Sequence, residues 1–128
     1  MTNDLLKMKV HEDELLFIYN SNDLQDRESF GYASSAYGNK IKPIDLTKDS
    51  LTERQIKEIA DRLGTNPEEL INKNSDVFKR EYGEISTDQE DVLKILKQRP
   101  VIMKTPIAIY ADKADFVHTA YEFVPGTK

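Results

Sequence analysis

The chain has no cysteine, no tryptophan and only two histidines, His11 and His118. Without a thiol there can be no disulfide, no cysteine metal site, no thiolate nucleophile and no dithiol redox chemistry. Two separated histidines with no partner one helical turn away make no metal site, and the ordinary reading of both is a surface or satisfied histidine. With only five glycines there is no Gly-rich phosphate loop. Neither a nucleophile elbow nor an HExxH pattern occurs. A run of about 18 apolar residues is also missing, so the sequence predicts no membrane span. Basic residues are outnumbered, 18 Lys and Arg against 23 Asp and Glu, for a net charge of −5. Such a balance lacks the electrostatic footprint of a protein that binds nucleic-acid phosphates directly. The stretch from Met1 to Glu14 carries charges throughout and has no apolar h-region, which argues against a signal peptide and for the cytoplasm.

What is present suits one folded domain. The chain has 128 residues, 38% of them hydrophobic and 32% charged, with the two kinds interleaved. A polar extension over residues 1–14 precedes a domain over 15–128. Leu15-Leu16-Phe17-Ile18-Tyr19 is a continuous apolar run of strand length, the mark of a strand buried on both faces. Asn22 or Asp23 can then cap a helix whose Phe30, Ala33 and Tyr37 fall on one stripe, and Gly38-Asn39 ends it. Residues 40–46 alternate with period two, and Pro43 confines that strand to a sheet edge. Thr52-Glu53-Arg54-Gln55 is a capping box for a helix with Ile56, Ile59, Ala60 and Leu63 inward and Gly64 at its end. Asn66-Pro67 opens a short helix with Asn66 as cap, and residues 75–82 form another helical stretch. Thr87-Asp88-Gln89-Glu90 repeats the capping-box pattern ahead of Val92, Leu93 and Leu96, and Arg99-Pro100 stops that helix. Val101-Ile102-Met103 and Ile107-Ala108-Ile109-Tyr110 are short apolar segments. Ala111-Asp112-Lys113 turns a hairpin toward Phe116-Val117, and a short terminal helix over residues 120–124 takes Thr119 as cap. The predicted class is α/β, ordered β-α-β, a helical block, then β-β.

That order is thioredoxin-like (glutaredoxin-like), a mixed sheet with a helical insertion. The first strand ends in Ile18-Tyr19-Asn20, Leu70-Ile71-Asn72-Lys73-Asn74 lies near mid-chain, and Arg99-Pro100-Val101-Ile102-Met103-Lys104-Thr105-Pro106-Ile107 follows later. In these three segments the chain resembles the arsenate reductase family, which also includes the Spx-type transcriptional regulators. The resemblance spans roughly residues 15–124 and implies a bacterial, cytoplasmic protein. In that family a nucleophilic cysteine follows the first strand. Its place here is Leu24 without a gap, or Asp23 with one loop residue deleted, and in the second case Arg27 meets a family arginine. The mid-chain oxyanion-binding arginine falls at Asn72, and the arginine before the proline falls at Thr105. The resemblance implies a cis bond at Thr105-Pro106, where the preceding backbone faces a bound substrate.

With its nucleophile and two cations gone, the site cannot reduce arsenate by thiol attack and binds an oxyanion poorly. Asp23, Leu24, Arg27, Asn72, Thr105 and Pro106 are therefore candidates for a vestigial or ligand-binding site, with no cofactor or metal. Arg27 could meet an incoming carboxylate at the helix N-terminus. The plainer reading makes Asp23 and Asp26 capping and dipole-compensating acids that repel an anion. The tyrosines can line a cleft, or serve as amphipathic core contacts. Lys73, Lys79 and Arg80, with Glu81 and Glu84 beside them, read as a mixed solvated face. The leading expectation is a non-catalytic family member that binds an unidentified protein partner or small ligand. A glutathione-associated or other oxidoreductase-related role without an intrinsic thiol is the alternative, and a cysteine-free enzyme using Asp23 or a tyrosine is the third.

Overall fold

The computed structural model describes residues 10–82 and 88–123. Four strands form one sheet in the order β2-β1-β3-β4, from Leu15–Tyr19 (β1), Ile41–Asp45 (β2), Ile107–Ile109 (β3) and Ala114–Phe116 (β4). β1 is interior, parallel to β2 and antiparallel to β3, and β3 pairs antiparallel with β4. Pro43 stands opposite Phe17 on the edge strand β2, where no ladder needs its missing N–H. The mixed α/β sheet is the thioredoxin-like arrangement expected, and all five residues of β1 are buried.

The chain divides into two compact units, Met1–Asp49 with Thr105–Lys128, and Ser50–Lys104. In the first, the helix Leu24–Tyr37 (α1) lies on the sheet face that carries Leu15, Phe17 and Tyr19. Phe30 stacks on Tyr19 with centroids 4.6 Å apart, and Phe123 meets Phe17 edge-on at 5.8 Å. Aromatic rings, which bury large areas per residue, thus hold a helix whose other positions are mostly polar. On the opposite face Leu16 pairs with Ile109 and Ile18 with Ile107, and all four are fully buried. Gly38 ends α1 at a φ of 57°, a value its lack of a Cβ permits.

The second unit holds the helices Glu53–Leu63 (α2), Asp76–Glu81 (α3) and Gln89–Gln98 (α4). The capping box at Thr52 and Gln55 forms in both directions, and Gly64 closes α2 in the left-handed region. Ile56, Ile59 and Ala60 of α2 are buried, as are Val92, Leu93 and Leu96 of α4, and the two helices pack together.

Four local expectations change. Asn66 precedes a 3-10 turn over Pro67–Leu70 but its side chain makes no cap bond. α4 is capped by Asp88, whose carboxylate accepts from the Glu90 amide, while Thr87 lies outside the described residues. Residues 101–103 are a 3-10 turn over Pro100–Ile102 followed by one antiparallel bridge between Met103 and Ile71. The expected terminal helix is a 3-10 turn over Ala120–Phe123. Thr119 accepts from the Tyr121 amide there, and residue 124 lies outside the description. Of the polar extension only residues 10–14 are described. His11 and Glu14 form a turn, and Glu14 pairs with Lys42 at 3.2 Å.

Candidate functional site

The loop from β1 into α1 is built on its own hydrogen bonds. Asn20 accepts the Asn22 amide on its side chain and the Asp23 amide on its carbonyl, which turns the chain out of the strand. Asp23 is the N-cap, accepting from the Asp26 amide at 3.0 Å. Arg27 donates from Nη1 to the Ser21 carbonyl at 2.8 Å, so its guanidinium braces the loop. Asp45, at the end of β2, accepts from the Ser21 amide, the Thr47 amide and the Thr47 hydroxyl.

Asp26 is the residue that ties this loop to the proline loop. It is only 3% exposed, and its Oδ2 accepts from the Asn20 amide at 2.9 Å and from the Thr105 hydroxyl at 2.5 Å. The Thr105–Pro106 peptide is cis, as the family resemblance implied, and Pro106 is buried. Its carbonyl accepts from the Val117 amide at 2.9 Å. Thr105 therefore does not offer its side chain outward; it spends its hydroxyl on the buried carboxylate.

The two buried carboxylates are tuned in opposite directions. Burial pushes Asp26 above the ordinary carboxylate value, with Thr105 and Asn20 pulling against it and the nearby Asp23 charge adding to it. Burial would raise Asp45 too, but hydrogen bonds from Ser21 and Thr47 outweigh it and leave its pKa lowered. Tyr110, packed against the core cluster that holds Phe17 and Tyr19, is pushed up to about 12 by burial and by Tyr37 and acidic neighbours.

The structure thus brings together Asp23, Leu24, Arg27, Thr105 and Pro106 in the first unit, with Asp26 as the missing link. By residue type alone Asp26 is a capping or dipole-compensating acid. The signal was available, because position 26 lies four residues before Phe30 and seven before Ala33, on the buried stripe of α1. Leu24 is 63% exposed at the start of the helix. Asn72 belongs to the second unit, where its side-chain oxygen accepts from the Asn74 amide and its own amide donates to the Ile102 carbonyl. That unit has a cavity of 370 Å³ lined by Glu68, Glu69, Ile71, Asn72, Lys73, Asn74 and Lys104. His11 and His118 are exposed, and among the described residues no group of histidine and acidic side chains could hold a metal. Among the described residues no helix is long and apolar enough to cross a membrane. Tyr19 belongs to the core and Tyr37 and Tyr110 pack against it, as amphipathic core contacts do, while Tyr32 and Tyr121 are exposed and meet each other at 5.7 Å.

As chemistry, the start of α1 presents a capping acid, an exposed aliphatic side chain and a buried acid engaged by two donors. No group there can attack a substrate as a thiolate does, and the acids oppose binding of an oxyanion at the helix end.

No family model and no curated protein matches the sequence. Solved structures do match. An arsenate reductase from Vibrio cholerae superposes with a TM-score of 0.73 at 14% identity, over 88% of this chain and 97% of that one. A Yersinia pestis protein described as a candidate arsenate reductase gives 0.68 at 18% identity, over 85% and 96%. A Bacteroides fragilis protein described as ArsC family related gives 0.62 at 12% identity, over 80% and 90%. At such identities the likeness speaks for the fold, and the chain has the thioredoxin-like fold of arsenate reductase structures while carrying no cysteine.

Proposed function

We propose that the chain is a non-catalytic binding module built on the arsenate reductase fold, working in the cytoplasm of a bacterium. One observation carries this reading: where the fold would present a reactive thiol, the chain has Asp23 and Leu24, and Asp26 closes the loop onto Thr105. A site that uses its hydroxyl, its guanidinium and its buried acid for internal bonds is built for stability rather than turnover. The closed loop also supports binding elsewhere on the molecule.

The test is a turnover assay on the purified chain with arsenate and either glutathione or thioredoxin as reductant. Reduction should stay at background, because there is no thiol to attack or to be regenerated. Turnover that persists through repurification would overturn the module reading. Asp23→Cys or Leu24→Cys alone should not create activity, since Asn72 and Thr105 occupy the places of two oxyanion-binding arginines in the family. Robust turnover from either single change would refute that account of the missing cations.

A further inference from the structure

Two of the six tyrosines stand apart from the rest. Tyr32 lies on the exposed side of α1 and Tyr121 on the 3-10 turn Ala120–Phe123, far apart in sequence but in contact at the surface. Their ring centroids are 5.7 Å apart, with the planes tilted by 46°. Tyr32 is 39% and Tyr121 58% exposed, so each ring meets the other and solvent at once. The placement is fixed from below, because α1 and the turn pack together and Phe123 of the same turn meets Phe17 and Tyr37 edge-on. Of the other four, Tyr19 is buried, Tyr37 and Tyr110 pack against the core, and Tyr82 stacks on Phe78.

Core packing does not account for this pair. An exposed aromatic contact adds a little to the fold, yet two phenols held ring to ring within reach of solvent also make a reactive unit. The chain offers a one-electron oxidant no easier target of the usual kinds, since it has no cysteine and no tryptophan. Methionine takes up oxygen instead of forming a bond to a neighbour, and Met103 is buried. A phenol that loses an electron and a proton becomes a phenoxyl radical, with spin on the carbons ortho to its oxygen. Two such radicals in contact meet at an effective concentration far above that of dilute chains in solution. Linked phenols are twisted about the bond between them, and the 46° tilt of these rings suits that product.

We propose that Tyr32 and Tyr121 form an oxidative latch, in which one-electron oxidation of both phenols couples their ortho carbons into a dityrosine that ties the turn Ala120–Phe123 to α1. Each phenol gives up one electron and one proton. The radicals join through a carbon–carbon bond, and the hydrogen on each joined carbon moves to its oxygen, restoring both hydroxyls. The oxidant is hydrogen peroxide acting through a haem peroxidase. The peroxide accepts the two electrons and two protons and leaves as two waters. The inference goes beyond the binding-module reading and does not depend on it.

The experiment treats the full chain in dilute solution with hydrogen peroxide and a haem peroxidase. The product should be a monomer with dityrosine fluorescence, and its digest should contain a peptide pair joining Tyr32 to Tyr121, lighter by two hydrogens than the separate peptides. Tyr32→Phe and Tyr121→Phe should each lower the monomer fluorescence by about tenfold or more, since a single phenoxyl has no neighbour to join. Both variants keep the ring, and their circular dichroism should match the parent. Tyr82→Phe, whose ring stacks on Phe78, should leave the yield unchanged. Oxidation in urea, where the contact is lost, should lower the yield of the Tyr32–Tyr121 peptide pair by about tenfold. The latched chain should unfold at a higher urea midpoint than the unoxidised chain, because a cross-link restricts the unfolded ensemble. No dityrosine, dimers alone, a monomer linked through Tyr37 and Tyr110, an equal yield in urea, or an unchanged urea midpoint would each overturn the proposal.

Discussion

The start of α1 and the cavity beside Asn72 make opposite use of polar residues. At the first, Asp23, Asp26, Asn20 and Thr105 bond to one another, Arg27 donates to the Ser21 carbonyl, and Asp26 is all but sealed from water. At the second, Glu68 and Lys73 form an exposed ion pair at 3.0 Å on the wall of the cavity. The contrast follows from burial. A buried carboxylate must be hydrogen-bonded or it destabilises the fold, so its partners are committed. An exposed charge stays hydrated, so the pair it forms contributes little to the fold. At the start of α1, the place where this fold would present its chemistry has turned inward.

The contrast can be broken by mutation, and the largest effect belongs to the core beneath α1. Phe17→Ala removes a ring that meets Tyr19, Phe30 and Phe123, and should cost about 3–5 kcal/mol in urea unfolding. Next comes the loop clasp. Thr105→Val leaves Asp26 buried with one donor fewer and should cost about 1–3 kcal/mol. Urea midpoints of the two variants check the order, and a loss in Thr105→Val as large as that in Phe17→Ala would contradict it.

A third effect is in the pH dependence. The folded-state pKa of Asp26 is raised above its ordinary 3.8, so the folded state holds that proton more tightly than the unfolded one. Its contribution is full below the ordinary value and is lost as pH rises through the folded value. Asp45 is lowered, so its contribution is present above its ordinary 3.8 and is lost as pH falls through the folded value. Asp26→Asn should therefore flatten the stability profile above about pH 4, and Asp45→Asn should flatten the profile below it. Urea midpoints measured across both ranges check the pair, and a variant that steepens its own range contradicts the assignment. The smallest effect is at the exposed Lys73–Glu68 pair, where Lys73→Gln should change stability by about 0.5 kcal/mol or less in urea unfolding.

Much of the framework could be read along the chain because its signals are local. β1 was legible as an unbroken apolar run, and α2 from Thr52 and Gln55 three residues apart with Gly64 behind it. Pro43 placed β2 on the edge through the one bond it cannot make. The candidate site was less legible because its decisive bonds are not local. Asp26 and Thr105 are 79 positions apart, and no spacing rule connects them. Lys73 reads as part of a mixed solvated face and is one, exposed and paired with Glu68, but the placement of its segment depends on Ile71 pairing with Met103, which no spacing shows. Asn66 shows the limit of residue preference: a good capping side chain makes no cap bond where the turn that follows is 3-10.

The most direct test of the closed site is the titration of the Asp26 carboxyl, followed by carbon NMR in the parent and in Thr105→Val. Asp26 should titrate above the ordinary carboxylate value in the parent, and higher still in Thr105→Val once a donor to its charged form is gone. An Asp26 that titrates at or below the ordinary value, and does not move when Thr105 is replaced, would mean a hydrated carboxylate and an open site.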